Sequence, residues 1–230
     1  MNKFIILLSG GLDSAVSLAQ VRNDNPGADI LCLFFDYGQK SAEFEKLSSE
    51  RLADYFGAKF QCIELDWLKK ITNNALTAAD SELPLLKNEE LDDFEAARKS
   101  AKAVWVPNRN GLFVNIAGCY CDAFGYGAVV LGANKEEAVT FSDNSKDFIT
   151  AMTKGLELST LCKPKVVAPL IDLEKYQIIQ KAKELKFPFE LIRSCYSTNP
   201  LHCGKCESCL RLKRGLEREN LFDIVNLLFN

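Results

Sequence analysis

The sequence predicts an α/β protein with a doubly wound parallel sheet. Short apolar runs alternate with helix-period segments along most of the chain. A glycine turn joins the first apolar run to the first helical segment, the arrangement found where a central strand feeds a helix. With 230 residues, 47% apolar and 26% charged, there is enough material for one full core without staples.

Phe4 to Leu8 reads as a buried strand over 4–8, and Ala15, Val16, Leu18, Ala19 and Val21 give a helix over 14–22. Next come a strand over 29–35, a helix over 41–56 and a strand over 59–65. Residues 73–104 are rich in Asn, Glu, Asp and Lys and are expected to form a mobile flap or dimer element. The alternation resumes with a helix over 111–125, a strand over 127–131, a helix over 146–158, a strand over 165–168 and a helix over 173–186. Ligands of such sheets bind beyond the carboxyl ends of the strands, where strand order reverses.

The run Ser9-Gly10-Gly11-Leu12-Asp13-Ser14 lies at such an end. Glycines let backbone N–H groups approach an anion, the serines add hydroxyls, and the helix start adds partial positive charge, so diphosphate suits it. It lacks the Gly-Lys-Ser/Thr of a Walker loop and the Gly-x-Gly-x-x-Gly dinucleotide pattern. Asp13 reads either as a magnesium-side carboxylate or as the helix cap.

Of nine cysteines, Cys195, Cys203, Cys206 and Cys209 crowd into a C-x7-C-x2-C-x2-C pattern, which predicts a structural Zn(Cys)4 site with no open position for water. Gly204 supplies the tight turn. His202, the only histidine, is expected to be a surface residue or to stand behind the ligands. Cys32, Cys62, Cys119 and Cys121 read as small buried hydrophobes. A net charge of −3 gives no general pull toward nucleic acid or anionic membrane. No apolar run has the length of a membrane span, and the N-terminus has no signal-type pattern, so a cytoplasmic location is expected.

The loop resembles that of the ATP pyrophosphatases, a family that splits ATP between its α and β phosphates to adenylate an acceptor. Further segments narrow the likeness. They are Phe35-Asp36-Tyr37-Gly38-Gln39 with Glu43, Val106-Pro107-Asn108-Arg109-Asn110, Leu131-Gly132-Ala133-Asn134, Ala168-Pro169-Leu170 with Lys175, and Ser194-Cys195-Tyr196 before the remaining cysteines. In order and spacing they resemble the 7-cyano-7-deazaguanine synthases of the queuosine pathway.

That resemblance implies an adenine nucleotide alpha hydrolase-like domain over 1–190, with a zinc-binding segment over 191–230 packed on it. It implies ATP, Mg2+ and Zn2+, a deazaguanine carboxylate and ammonia as substrates, and a homodimer. ATP would be bound by Leu8, Ser9, Gly10, Gly11, Leu12, Asp13, Ser14, Ala15, Val16, Ser17 and Leu18, with Asp36 and Tyr37. Asp13, Arg109, Lys175 and Asp143 are the catalytic candidates. Lys175 opens a predicted helix, where a lysine is disfavoured unless an anion is near. Asp36 and Tyr37 read equally well as strand-end packing. Lys205, Arg211, Lys213, Arg214 and Arg218 read as a solvated helix face.

The chain departs from the family pattern at Val139-Thr140-Phe141-Ser142-Asp143-Asn144-Ser145, where Ser-Gly-Tyr-Pro-Asp-Cys-Arg is usual, and at Ile192-Arg193, where Thr-Trp is usual. These loops are expected to frame the acceptor. Competing readings are therefore a ligase of the same group acting on another carboxylate, a tRNA sulfur transferase, and a zinc-ribbon module with a vestigial nucleotide site.

Overall fold

The computed structural model describes residues 2–78, 80–85, 88, 91 and 93–229. A parallel sheet of five strands has the order β3-β2-β1-β4-β5. The strands are β1 (Lys3–Leu7), β2 (Asp29–Asp36), β3 (Lys59–Glu64), β4 (Ala128–Val130) and β5 (Lys165–Val167). Leu7 sits opposite Leu33 on one side of β1, and Ile6 opposite Val130 on the other. The order reverses between β1 and β4, so the loops that leave these strands diverge and open a crevice.

Helices α1 (Leu12–Asp24), α2 (Ala42–Tyr55), α3 (Asp66–Ile71), α4 (Phe94–Ala103) and α5 (Arg109–Phe124) occupy the first half. They are followed by α6 (Lys135–Thr140), α7 (Lys146–Ser159), α8 (Lys175–Glu184), α9 (Glu207–Arg218) and α10 (Phe222–Phe229). Each predicted strand and helix forms, with ends displaced by three residues at most. Five further helices, α3, α4, α6, α9 and α10, are not among those predicted from the sequence; α3 and α6 are six residues each, too short to show a helical period.

The sheet carries apolar side chains on both faces. Ile6, Leu8, Ile30 and Val130 pack with α1 and α8 on one face, while Ile5, Leu33, Phe35 and Val129 pack with α5 on the other. Leu212, Leu216, Val225 and Leu228 of α9 and α10 join the first of these clusters, beside Ile178, Phe187 and Phe189.

The expected flap over 73–104 includes 79, 86, 87, 89, 90 and 92, which lie outside the described residues. The rest is fastened to the C-terminal segment. Leu85 forms an antiparallel bridge with Cys206, and Ser100 Oγ–H donates to Glu207 Oε2 at 2.6 Å.

Candidate active site

After β1 the chain turns through Gly10 at φ +77°, where a Cβ would lie 2.8 Å from the carbonyl oxygen of Glu45. Only glycine fits that turn. The Ser14 hydroxyl donates to the Gly11 carbonyl at 3.1 Å and accepts from the Ser9 N–H at 3.2 Å. The Ser9 hydroxyl stands 3.1 Å from Ser14 Oγ and completes a closed serine pair. No side chain caps α1, so its first N–H groups are left for a ligand in the cleft lined by Gly11, Leu12, Asp13 and Ser14. A Cβ on Gly132 would come within 2.6 Å of Ser14 N. Glycine there lets the end of β4 close on the helix start.

Lys175, the first residue of α8, projects into this loop. Its ammonium lies 2.6 Å from Asp13 Oδ2 and 3.5 Å from Glu137 Oε1, and its backbone N–H donates to Glu136 Oε1 at 2.7 Å. Burial raises the Asp13 carboxyl to about 6; Lys175 opposes the rise, while Glu137 and Glu136 add to it. Burial works against the Lys175 charge too, but Asp13 and Glu137 outweigh it and hold the ammonium at about 12. Asp13 Oδ1 is buried with no hydrogen-bond partner among the described residues. Asp13 and Glu137 face one ammonium, and this orphaned oxygen fits a divalent cation beside a bound polyphosphate.

On the other side of the same cleft, Arg109 Nη1–H donates to Tyr37 Oη at 3.1 Å, with the guanidinium 5.9 Å from the Tyr37 ring centre. Arg109 enters α5 directly after Asn108, which adopts a left-handed φ of 50°. Asp143 lies on the 3-10 turn Ser142–Asn144; burial raises its carboxyl and Arg109 opposes that rise. Asp13, Lys175, Tyr37, Arg109 and Asp143, far apart in sequence, therefore line one cleft.

Other predicted residues do not reach it. Asp36 is absent from the lining, and its Oδ1 accepts the Gly38 N–H at 2.9 Å to shape the turn. Ala15, Val16 and Leu18 are buried in the core behind the loop, and Ser17 is fully buried with them. These four support the helix start from inside. None of the lining residues is a cysteine, and Cys119, expected to be a small buried hydrophobe, is exposed.

Several lining residues were missed or misread from the sequence, among them Glu137, already described beside Lys175. Glu45, rather than the exposed Glu43, faces the cleft; it accepts from Ser41 Oγ at 2.5 Å and Gln39 Nε2 at 2.9 Å. One helical position separates the two candidates, and only their burial tells them apart. Arg193 donates its backbone N–H to the Gly10 carbonyl at 2.8 Å. Its guanidinium binds the carbonyls of Ser197, Asn199 and Pro200 at 2.6, 2.7 and 2.9 Å, over the Phe44 ring. Arg211 is a correction to the solvated face: it pairs with Glu207 at 3.0 Å and Glu136 at 3.4 Å. The apolar stripe of α9 packs on α8 and turns this arginine toward acidic α6. Arg218 likewise covers the Tyr176 ring at 3.4 Å.

The sulfurs of Cys195, Cys203, Cys206 and Cys209 all lie within 4.8 Å of one another, with Cys203 and Cys209 3.9 Å apart. Four thiolates around a tetrahedral ion at about 2.3 Å stand about 3.8 Å apart, so the set fits a metal. Backbone N–H groups of Cys203, Cys206, Ser197 and Lys205 already point at these sulfurs, at 3.2 to 3.4 Å. Thiols of Cys206 and Cys209 donate to Cys195 and lower its pKa, while this sharing pushes Cys206 up to about 12. A cation is what allows all four to ionise together. His202 is buried rather than at the surface. Its Nε2 accepts the Ser194 N–H at 3.0 Å and its Nδ1–H faces the Leu228 carbonyl at 3.2 Å, which ties α10 to the strand of cysteine ligands.

Known proteins share much of this sequence. The chain is 48% identical over 217 residues to a 7-cyano-7-deazaguanine synthase of Pelotomaculum thermopropionicum, covering 94% of this chain and 97% of that one. It is 47% identical over 216 residues to the synthase of that name from Carboxydothermus hydrogenoformans, covering 94% and 98%. In fold it is similar to the U34-tRNA thiolase NcsA of Methanococcus maripaludis, with a TM-score of 0.50 at 13% identity, over 98% of this chain and 69% of that one. A family model described as queuosine biosynthesis protein QueC matches residues 3–220; with that match, and with relatives this similar over nearly their whole length, the chain belongs to that family.

Proposed function

We propose that this cleft converts 7-carboxy-7-deazaguanine and ammonia into 7-cyano-7-deazaguanine at the expense of ATP, as a ligase forming C–N bonds. The observation that carries the reading is near-full-length identity of 47–48% to proteins named for that product. The altered residues 139–145 are then a tolerated variation of the acceptor pocket.

A carboxylate is a poor electrophile because its oxygen leaves badly. Attack of that oxygen on the α phosphorus of ATP breaks the α–β bond, releases diphosphate and gives a mixed anhydride. Ammonia adds to the acyl carbon and AMP departs, leaving an amide and a proton. Activation of the amide oxygen by a second ATP releases another diphosphate; loss of AMP and the amide protons then closes the nitrile.

This chain's residues serve the departing diphosphate. The N–H groups that open α1 and the Lys175 ammonium face the charge that builds there. Asp13, with Glu137 beside it, would hold magnesium, which would neutralise part of the diphosphate charge. Arg109 is poised for the acceptor's carboxylate or the α phosphate. Cys195, Cys203, Cys206 and Cys209 would hold zinc as a structural ion, so that residues 191–230 act as a zinc-binding segment on a nucleotide-binding domain of residues 1–190. A homodimer and a cytoplasmic location complete the reading; among the described residues no helix is long and apolar enough to cross a membrane.

The test is incubation of the purified protein with ATP, magnesium, ammonium and 7-carboxy-7-deazaguanine, with mass analysis of base and nucleotide. Nitrile together with AMP supports the reading. Protein that binds ATP and zinc but forms no nitrile assigns the cleft to another carboxylate.

A further inference from the structure

In the same cleft, Trp105 and Phe141 face each other with ring planes 8° apart and centroids 6.1 Å apart. Both line the cleft. At that separation the rings do not overlap fully, so aromatic surface is left for a third flat ring. Trp105 is 40% exposed, so part of its indole is open to a ligand in the cleft. Its backbone is fixed: Val104 and Val106 on either side are buried, and its carbonyl accepts from Asn74 Nδ2 at 2.7 Å. Phe141 comes from the opposite side, at the end of α6, none of whose residues is buried.

The geometry points to Trp105 and Phe141 as the stacking platform for the planar base of the acceptor, with Asp143 reading its edge. This rests on the function proposed above and adds which residues select the base. Asp143 stands two positions beyond Phe141, and Asn110 Nδ2 donates to its carbonyl at 3.4 Å, which ties the turn to α5. An ionised carboxylate is acceptor-only. It matches the adjacent ring N–H and amino group of a guanine-type edge, whereas adenine offers one amino group beside a bare ring nitrogen. Adenine suits instead the apolar wall of Leu7, Leu33 and Phe34 next to Ser9, at the paired ends of β1 and β2. Stacking on aromatic side chains with hydrogen bonds to one edge is how proteins commonly read an isolated base.

The experiment has two parts. In a Trp67→Phe protein, Trp105 is the sole indole; its fluorescence is titrated separately with 7-deazaguanine, 7-carboxy-7-deazaguanine and magnesium ATP. Both bases are expected to quench it and ATP to leave it nearly unchanged. Steady-state kinetics then compare Trp105→Leu, Phe141→Leu and Phe141→Tyr. The two leucine variants are expected to raise KM for the base roughly tenfold or more with KM for ATP within about twofold, while Phe141→Tyr stays near the parent. Quenching by ATP alone, or a rise in KM for ATP instead of the base, overturns the platform. If the bases quench but the parent enzyme forms no nitrile, the platform stands and the proposed reaction falls. If nitrile forms and neither leucine variant shifts KM for the base, the platform falls and the reaction stands.

Discussion

The ammonium of Lys175 meets Asp13 Oδ2 at 2.6 Å across 162 positions of sequence. Their side chains are only 11% and 17% exposed. Removing one partner strands the other charge away from water, which typically costs about 3–5 kcal/mol. Lys175→Met is therefore expected to destabilise the protein by about 3 kcal/mol in urea unfolding. Adding Asp13→Asn should recover part of that loss while activity stays low. Equal stability of the single and double variants would mean that the pair is not coupled.

The raised Asp13 carboxyl makes a pH prediction with a definite sign. Its folded pKa of about 6 lies above its ordinary 3.8, so between these values the folded state holds more protons than the unfolded state. Its contribution to stability is full below about pH 4 and is lost as pH rises to about 6. The stability difference between parent and Asp13→Asn should change across that window and be flat above it. Magnesium ATP needs the ionised form, so binding should weaken as pH falls through about 6, measured by calorimetry.

Gly10→Ala should abolish tight ATP binding. The left-handed backbone at φ +77° costs roughly 1–2 kcal/mol for a residue with a Cβ, and the Cβ would press on the Glu45 carbonyl. Gly27→Ala, where a Cβ meets nothing within 4 Å, is the matched control and should bind ATP as the parent does. A loss of ATP affinity greater than tenfold in the first and less than twofold in the second is expected.

Cys206 is completely buried. Cys206→Ser should lower metal content to well below one ion per chain by mass spectrometry and lower the melting temperature by about 5 °C or more. Unchanged metal and melting would remove the cluster's structural role. Arg193→Lys loses the fork that binds three carbonyls at once and should speed metal release to a chelator while leaving the metal bound at rest.

Much of this site was legible because its chemistry is local. A strand, two glycines and a helix start lie within fourteen residues, and the cysteine pattern repeats at the reach of one metal ion. Lys175 and Asp13 could each be singled out, but nothing in the sequence says that one neutralises the other. Arg193 was visible only as a deviation from a family pattern; its role depends on where Gly10 and Pro200 end up. Glu45 escaped notice because Glu43, two residues earlier, carries the same chemistry, and helix phase alone decides which enters the cleft. The charged run on α9 misled for a related reason, since Arg211 is shared between Glu207 of its own helix and Glu136 on a distant one.

The bond from the Arg193 backbone to Gly10 also has a bearing on how the protein is made. Gly10 is synthesised before Arg193, yet its carbonyl is held by that later residue. Ser48, whose hydroxyl donates to the Leu191 carbonyl at 2.5 Å and to Gly10 at 3.2 Å, awaits the same late arrival. A nascent chain therefore carries this loop unfinished until Arg193 has emerged. The loop takes its final shape only once the segment around Leu191 and Arg193 has docked on it.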